Sequence, residues 1–248
     1  MKIGIIGSTG MVGSALLTLL KQDDLEIVES SSRDLNEIEI NTCEIVFICV
    51  PSPMSGDGSC DTSIVESTVK WLKVPLIVIK STIPPGTTDY LIKKYKKSIV
   101  FNPEFLREKT NIKDMLEVDR TVLGGDIKLT QQVVDVYKKV YDSEMIYVQT
   151  TSVLAELTKY TINCYLATKV TFFNEIASIC DVLGINYDQL REIVLLDRRI
   201  TKSHTLVNKG FGGACLPKDL NGLISHAQSK GYEPELLKEV WASNLRFR

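Results

Sequence analysis

Along the first 150 residues, short apolar runs alternate with stretches in which apolar residues recur every three or four positions. Segments 2–7, 25–29, 44–50, 76–80, 98–101, 120–124 and 145–148 read as strands. Between them, Ala15, Leu16, Leu19 and Leu20, then Ile64, Val65, Val69 and Leu72, then segments 87–96 and 127–140 carry the helical period. This alternation predicts an α/β fold, a Rossmann-type doubly wound parallel sheet covered on both faces, with ligands at the carboxyl ends of its strands. From about Ser152 the alternation stops. One helical pattern runs to Leu183 before Gly184, with Leu154, Leu157, Ile162, Leu166 and Val170 as its apolar side and Glu156, Lys159 and Asn163 along one polar stripe. Shorter helical patterns at 187–196 and 233–245 flank segment 210–219. The expected division is 1–150 for a dinucleotide-binding domain and 151–248 for an all-helical one.

The first strand–helix junction reads Gly7-Ser8-Thr9-Gly10-Met11-Val12-Gly13. Such a turn sets the backbone N–H groups of Gly10, Met11, Val12 and Gly13 at a helix N-terminus, where a pyrophosphate binds, and Glu29 ends the next strand where an acid holds a ribose hydroxyl. Two spacings are open: Ser8 stands for the first glycine of G-x-G-x-x-G, or one residue is inserted to give G-x-x-G-x-x-G. Ser30 to Arg33 would suit a 2′-phosphate, but Glu29 repels one, which favours NAD over NADP. Two proline-rich loops, Pro51-Ser52-Pro53 and Ser81-Thr82-Ile83-Pro84-Pro85-Gly86, follow strands and so lie on the ligand side. Asn102 to Glu108 does too, and its Glu104 and Glu108 would share a face if the piece were helical.

The most reactive-looking stretch is Gly210-Phe211-Gly212-Gly213-Ala214-Cys215-Leu216-Pro217-Lys218-Asp219. Its glycines allow a backbone to approach a ligand closely, and Pro217 suits the first turn of a helix that starts beside the thiol. A helix N-terminus and the Lys218 ammonium both favour the thiolate form of Cys215, which is the nucleophile, and Asp219 lies one turn on.

Composition removes alternatives. The chain has 248 residues, a formal net charge of −2 and 44% hydrophobic residues, so no basic field advertises nucleic acid or an anionic membrane. Its six cysteines form no C-x-x-C pair, which suggests neither a metal site nor a disulfide framework and fits a reducing cytoplasm. No apolar run is long enough to span a bilayer.

Taken together, STIPPGTT (81–88), NPEFLRE (102–108), Asp119-Arg120, KYTIN (159–163), DRRI (197–200) and GFGGACLPKD (210–219) resemble the UDP-glucose/GDP-mannose dehydrogenase family of nucleotide-sugar 6-dehydrogenases, over the whole chain. The resemblance implies oxidation of a sugar C6 alcohol to a carboxylate with two NAD⁺, through a thiohemiacetal and a thioester on Cys215. It implies that Lys159 and Asn163 stabilise the oxyanion, and that Thr82, Glu104 and Asp219 position water and handle protons. Glu108, Pro51, Thr82 and Lys218 fall to the cofactor side. Phe105, Leu106 and Arg107, together with Phe211, Gly212 and Gly213, fall to the substrate. Arg199 resembles an arginine that reaches the sugar nucleotide from a neighbouring subunit, so a homodimer through helix 152–183 is expected.

The pattern departs from the family in the spacing of the glycine turn, in a shortened stretch between Glu29 and Glu44, and in ending at Arg248, where the family continues into a second Rossmann-like domain. That C-terminal nucleotide-binding domain is therefore expected to be absent. Two other functions compete: a two-electron alcohol or hydroxyacid dehydrogenase of similar build, which leaves Cys215 unexplained, and a catalytically silent nucleotide-binding or assembly module.

Overall fold

Seven short strands pair into a single sheet: β1 (Lys2–Ile6), β2 (Glu26–Ser30), β3 (Ile45–Ile48), β4 (Leu76–Ile79), β5 (Ile99–Phe101), β6 (Arg120–Gly124) and β7 (Ile146–Thr150). The structure is a computed structural model and describes residues 1–21, 23–34, 36–207 and 209–248. The strand order is β2-β1-β3-β4-β5-β6-β7, so the winding reverses between β1 and β3. Strands β1 to β5 are parallel, as expected. The exception to the parallel pattern is β6, which meets β5 antiparallel through Phe101 and Gly124 and is itself parallel to β7. A parallel neighbour needs a crossover back over the sheet, and the 102–119 connection stays on the carboxyl side of β5 instead.

Alternation along each strand sorts side chains to the two faces. On β3, Ile45 and Phe47 join Leu16, Leu19 and Leu20 of α1 (Met11–Leu20). Met115 of α5 (Asn111–Leu116) and Val133, Val134 and Tyr137 of α6 (Ile127–Tyr137) complete that side. Val46 and Ile48 face the other way. They meet Ile40 of α2 (Glu37–Ile40), Val65 and Val69 of α3 (Ser63–Trp71) and Leu91 of α4 (Thr87–Tyr95). Each such aliphatic side chain contributes about 1.5–3 kcal/mol by burial, so both helical layers are firmly attached to the sheet. Neither α2 nor α5 is marked by the hydrophobic period, because each is too short to show one.

Two compact units result: Met1–Pro53 with Cys60–Lys159, and Met54–Ser59 with Tyr160–Arg248. Helix α7 (Ser152–Leu183) enters the second unit at Tyr160, and α8 (Tyr187–Val194), α9 (Leu216–Ser229) and α10 (Glu235–Arg246) follow. Among the described residues no strand lies beyond Thr150. This unit is cored by Cys164, Ala167, Phe211, Leu220, Ile224 and Val240, with the Phe211 and Trp241 rings 6.1 Å apart. The end of α10 fastens the loop before α9. Gly210 N donates to the Phe247 carbonyl at 3.0 Å and Asn244 Nδ2 to the Phe211 carbonyl at 3.1 Å. A side chain on Gly210 would lie 2.3 Å from Asn244 Oδ1, so only glycine fits there. No helix among the described residues is long and apolar enough to cross a membrane.

Candidate active site

Strand β1 delivers Gly7 to the point where the winding reverses, the usual place for a ligand in such sheets. Gly7 has φ +85°, and a side chain on it would meet the Cys49 carbonyl at 2.6 Å. Gly10 N donates back to the Gly7 carbonyl at 3.0 Å, and a side chain on Gly13 would lie 2.1 Å from that same oxygen. Gly7 is thus the first glycine and Gly13 the one that lets α1 pack on β1. The loop is G-x-x-G-x-x-G, with one residue inserted before Gly10. Ser8 is buried, and its N–H shares the Ser30 carbonyl with Gly7, so it serves the β1–β2 seam. A side chain on Gly10 would meet the Gly7 carbonyl only at 3.4 Å, so Gly10 is not there for packing. With the first N–H groups of α1 (Met11, Val12, Gly13) ahead of the helical ladder, the turn fits a dinucleotide pyrophosphate. Asn111 Nδ2 ties α5 to this turn by donating to the Met11 carbonyl at 2.7 Å. Glu29 is exposed on β2 and ion-paired with Lys21 at 2.9 Å, while Pro51 is exposed just after β3.

Asn102 to Arg107 is not helical, because the residue before a proline is driven to extended backbone. Glu104 and Glu108 therefore share no helix face. Glu108 opens a 3-10 turn (Glu108–Thr110) in solvent, whereas Glu104 is buried. Lys159 Nζ donates to Glu104 Oε1 at 2.9 Å and to its carbonyl at 2.7 Å, and Leu106 N donates to Oε2 at 2.7 Å. Burial works to raise this carboxyl, but the Lys159 charge, the Leu106 N–H and the Lys80 charge outweigh it and hold Glu104 below the ordinary carboxylate range. The centre of the Phe105 ring lies 5.6 Å from Lys159 Nζ and 6.0 Å from the Arg120 guanidinium carbon. Leu106 is half-buried, and exposed Arg107 is gripped by Asp114, which the Arg107 hydrogen bonds pull down to about 2. Thr82 is half-buried after β4, its carbonyl accepting from the Cys60 thiol at 3.6 Å.

Glu156, seen in the sequence only as part of a stripe, is a clamp. Its carboxylate accepts from Gly86 N (2.6 Å), Thr88 N (2.8 Å) and Thr88 Oγ1 (2.6 Å), which pins the start of α4 behind the Thr82 loop. Burial pushes it up to about 7 against those three bonds. Lys80, which closes a strand pattern in the sequence, is a buried ammonium with no signal beyond its place at the strand end.

In the helical unit, half-buried Cys215 is the N-cap of α9, and Asp219 N donates to the Cys215 carbonyl at 2.8 Å. The Asp219 carboxylate is 1% exposed. It takes Asn163 Nδ2 on one oxygen and Lys218 Nζ on the other, both at 2.5 Å. Gly212 and Gly213 are exposed, Gly213 with φ +76°. The Phe211 side chain lies in the core, leaving its backbone to the loop. Arg199 is exposed and paired with Asp197 at 2.6 Å. Burial pushes Cys49 and Cys164 up to about 12 and Cys43 to about 11, so these thiols are inert at neutral pH.

A dinucleotide turn at the winding reversal, followed by a helical unit that presents a cysteine at a helix N-cap, defines a dehydrogenase-type build. The chain belongs to the UDP-glucose/GDP-mannose dehydrogenase family: residues 30–144 match that family's NAD binding domain and residues 154–246 its central domain. It is 36% identical over 220 residues to a UDP-glucose 6-dehydrogenase of Rickettsia bellii, covering 83% of this chain and 50% of that one. To UDP-glucose 6-dehydrogenase TuaD of Bacillus subtilis it is 34% identical over 222 residues, 84% and 48% of the two chains. The structure of a UDP-glucose dehydrogenase from Pyrobaculum islandicum superposes with a TM-score of 0.89 at 28% identity, over 99% of this chain and 68% of that one. The chain spans about half the length of the curated relatives it matches.

Proposed function

We propose that this chain oxidises the C6 alcohol of a nucleotide sugar to a carboxylate, with Cys215 as covalent nucleophile. The observation that carries the reading is Cys215 at the N-cap of α9, one turn ahead of a buried carboxylate held by Asn163 and Lys218. The Gly7–Gly13 turn would hold NAD, and one NAD⁺ per oxidation stage, two in all, would accept the hydride.

The residues divide the rest of the work. As C6 loses a hydride, its hydroxyl proton passes to a carboxylate, and the Lys159 ammonium donates to the oxygen that becomes negative. Glu104, being ionised, acts as an acceptor that orients Lys159 and a water. The Cys215 sulfur then bonds to the aldehyde carbon while its proton ends on the aldehyde oxygen, giving the thiohemiacetal. Loss of a second hydride and of that hydroxyl proton leaves a thioester. Water positioned by Glu104 and Thr82 adds to the carbonyl, the carbon–sulfur bond breaks, the thiolate recovers its proton, and the acid ionises. Lys159 and Asn163, four residues apart on α7, hold the oxyanion at each addition.

The substrate side of the reading gives Phe105, Leu106 and Arg107, the Gly212–Gly213 backbone, and Arg199 of a second copy to the sugar nucleotide. A homodimer through α7 is part of the reading, supported by its exposed Tyr165, Phe172 and Ile179, spaced seven residues apart. Counting NADH per molecule of UDP-, GDP- or dTDP-sugar in an exhaustive assay tests the reaction. Two per sugar are expected, with acid as product; one per sugar, with aldehyde or ketone as product, would refute the four-electron chemistry.

A further inference from the structure

Lys80 is 3% exposed and, among the described residues, ion-paired with no carboxylate. Its Nζ donates to Asn102 Oδ1 at 2.9 Å and reaches the Asn102 carbonyl and the Tyr137 hydroxyl at 3.4 Å. The orientation of the amide is fixed. Asn102 Nδ2 donates to Thr121 Oγ1 (2.9 Å) and to the Val122 carbonyl (2.8 Å), which turns Oδ1 toward Lys80. That same Oδ1 also accepts from the Tyr137 hydroxyl at 2.6 Å. An ammonium buried on neutral acceptors alone is costly, and an apolar side chain would fill the place without that cost. The charge needs an anion, and Glu104 supplies one: Lys80 and Glu104 line the same small cavity, of about 30 Å³.

The geometry points to Lys80 as a positioning residue for the proposed reaction, a second positive charge held against the Glu104–Lys159 pair so that the cluster is net positive by one. Glu104 then stays an anion that accepts from Lys159. Among the described residues lining this cavity, nothing else replaces this charge. From α5, Asp114 is engaged by Arg107; from β6, Arg120 stacks on Phe105. Burial keeps the α6 hydroxyl of Tyr137, the nearby Tyr141 hydroxyl and the Cys49 thiol of the β3 end protonated. Burial lowers Lys80 itself to about 8, which leaves it an ammonium at neutral pH.

The inference rests on the proposed reaction for its purpose, but its test needs no substrate. In full-length protein labelled with ¹³C-glutamate, the Glu104 carboxyl is assigned by its loss in Glu104→Gln and titrated in three backgrounds. Its midpoint should rise by on the order of one pH unit in Lys80→Met and stay near wild type in Lys80→Arg. The acid limb of kcat should move with it, at little change in KM for the sugar nucleotide. A folded Lys80→Met with an unmoved Glu104 midpoint overturns the proposal. Should Lys80→Met not fold, the reciprocal experiment decides. In ¹⁵N-lysine protein, Glu104→Gln must lower the Lys80 midpoint, and an unchanged midpoint overturns the proposal equally. Absence of turnover on every sugar nucleotide would refute the reaction, while the titrations would still decide whether Lys80 holds Glu104 ionised.

Discussion

Asn163 donates to the Asp219 carboxylate at 2.5 Å, side chain to side chain, across 56 residues of sequence. Deleting the donor leaves one buried carboxylate oxygen unsatisfied, so Asn163→Ala should lower stability in urea by about 2 kcal/mol. If Asn163 also holds the oxyanion, kcat should fall about 10²–10³-fold in the same variant. A stability loss with kcat intact would make the residue a brace and nothing more.

The covalent stage belongs to Cys215. Cys215→Ala should form no acid and consume no second equivalent of NAD, while NAD affinity measured by calorimetry stays within about twofold of wild type, because the dinucleotide turn lies in the other unit. Quantitative acid production by this variant would exclude the nucleophile role.

Glycines 10 and 13 should separate fold from cofactor. Gly13→Ala drives a methyl group to 2.1 Å from the Gly7 carbonyl and should cost about 3 kcal/mol or more. Gly10→Ala meets only an ordinary contact and should cost under about 1 kcal/mol. Even so, NAD binding should weaken at least tenfold in Gly10→Ala if the pyrophosphate lies against that residue. Equal thermal losses in the two variants would contradict the assignment of the spacing.

Glu29 should govern cofactor choice, since a carboxylate near the ribose 2′ position repels a phosphate there. Replacing Glu29 by Ser also releases Lys21 from its 2.9 Å pair, which adds a cation for the phosphate. The ratio of kcat/KM for NAD over NADP should fall at least tenfold. An unchanged ratio would place the discriminating group in the Ser31–Arg33 turn.

Glu156 should make stability pH-dependent. Its carboxyl is raised in the folded state to about 7, from an ordinary 4.5. The contribution it makes is therefore full below about pH 4.5 and is lost as pH rises through about 7, a change on the order of 3 kcal/mol. Comparing unfolding of wild type and Glu156→Gln across that window isolates it. Parallel pH curves for the two proteins would show that the three hydrogen bonds from Gly86 and Thr88 cancel the burial.

The α7 stripe should govern assembly. Phe172 is 56% exposed, and Phe172→Glu should convert a dimer to a monomer in sedimentation without changing helix content. A wild-type chain that sediments as a monomer would end the dimer proposal.

Strands and long helices are legible in the sequence from their period, and the Gly7 turn, Cys215 and Asp219 from local chemistry. What is not legible depends on pairing between distant segments. Strand direction leaves no trace in an alternating pattern, so Arg120–Gly124 reads as one more strand, although it runs antiparallel to β5. The spacing of the glycine turn stays open until Gly13 meets the Gly7 carbonyl. The burial of Glu104 and its bond to Lys159 are not legible, because that partner is 55 residues away. Lys80 and Asn102 have no visible reason to be polar until Tyr137 and Thr121 arrive from α6 and β6.

The bonds from Phe247 and Asn244 to Gly210 and Phe211 have a dynamic consequence. Helix ends fray with opening free energies near zero, and the amide of Gly210 is sheltered only while the Phe247 carbonyl stays in place. In hydrogen–deuterium exchange the loop before Cys215 should therefore keep the tempo of the last turn of α10 and not that of α9, whose N-cap bears the thiol. Whatever quiets that final turn would also slow the loop.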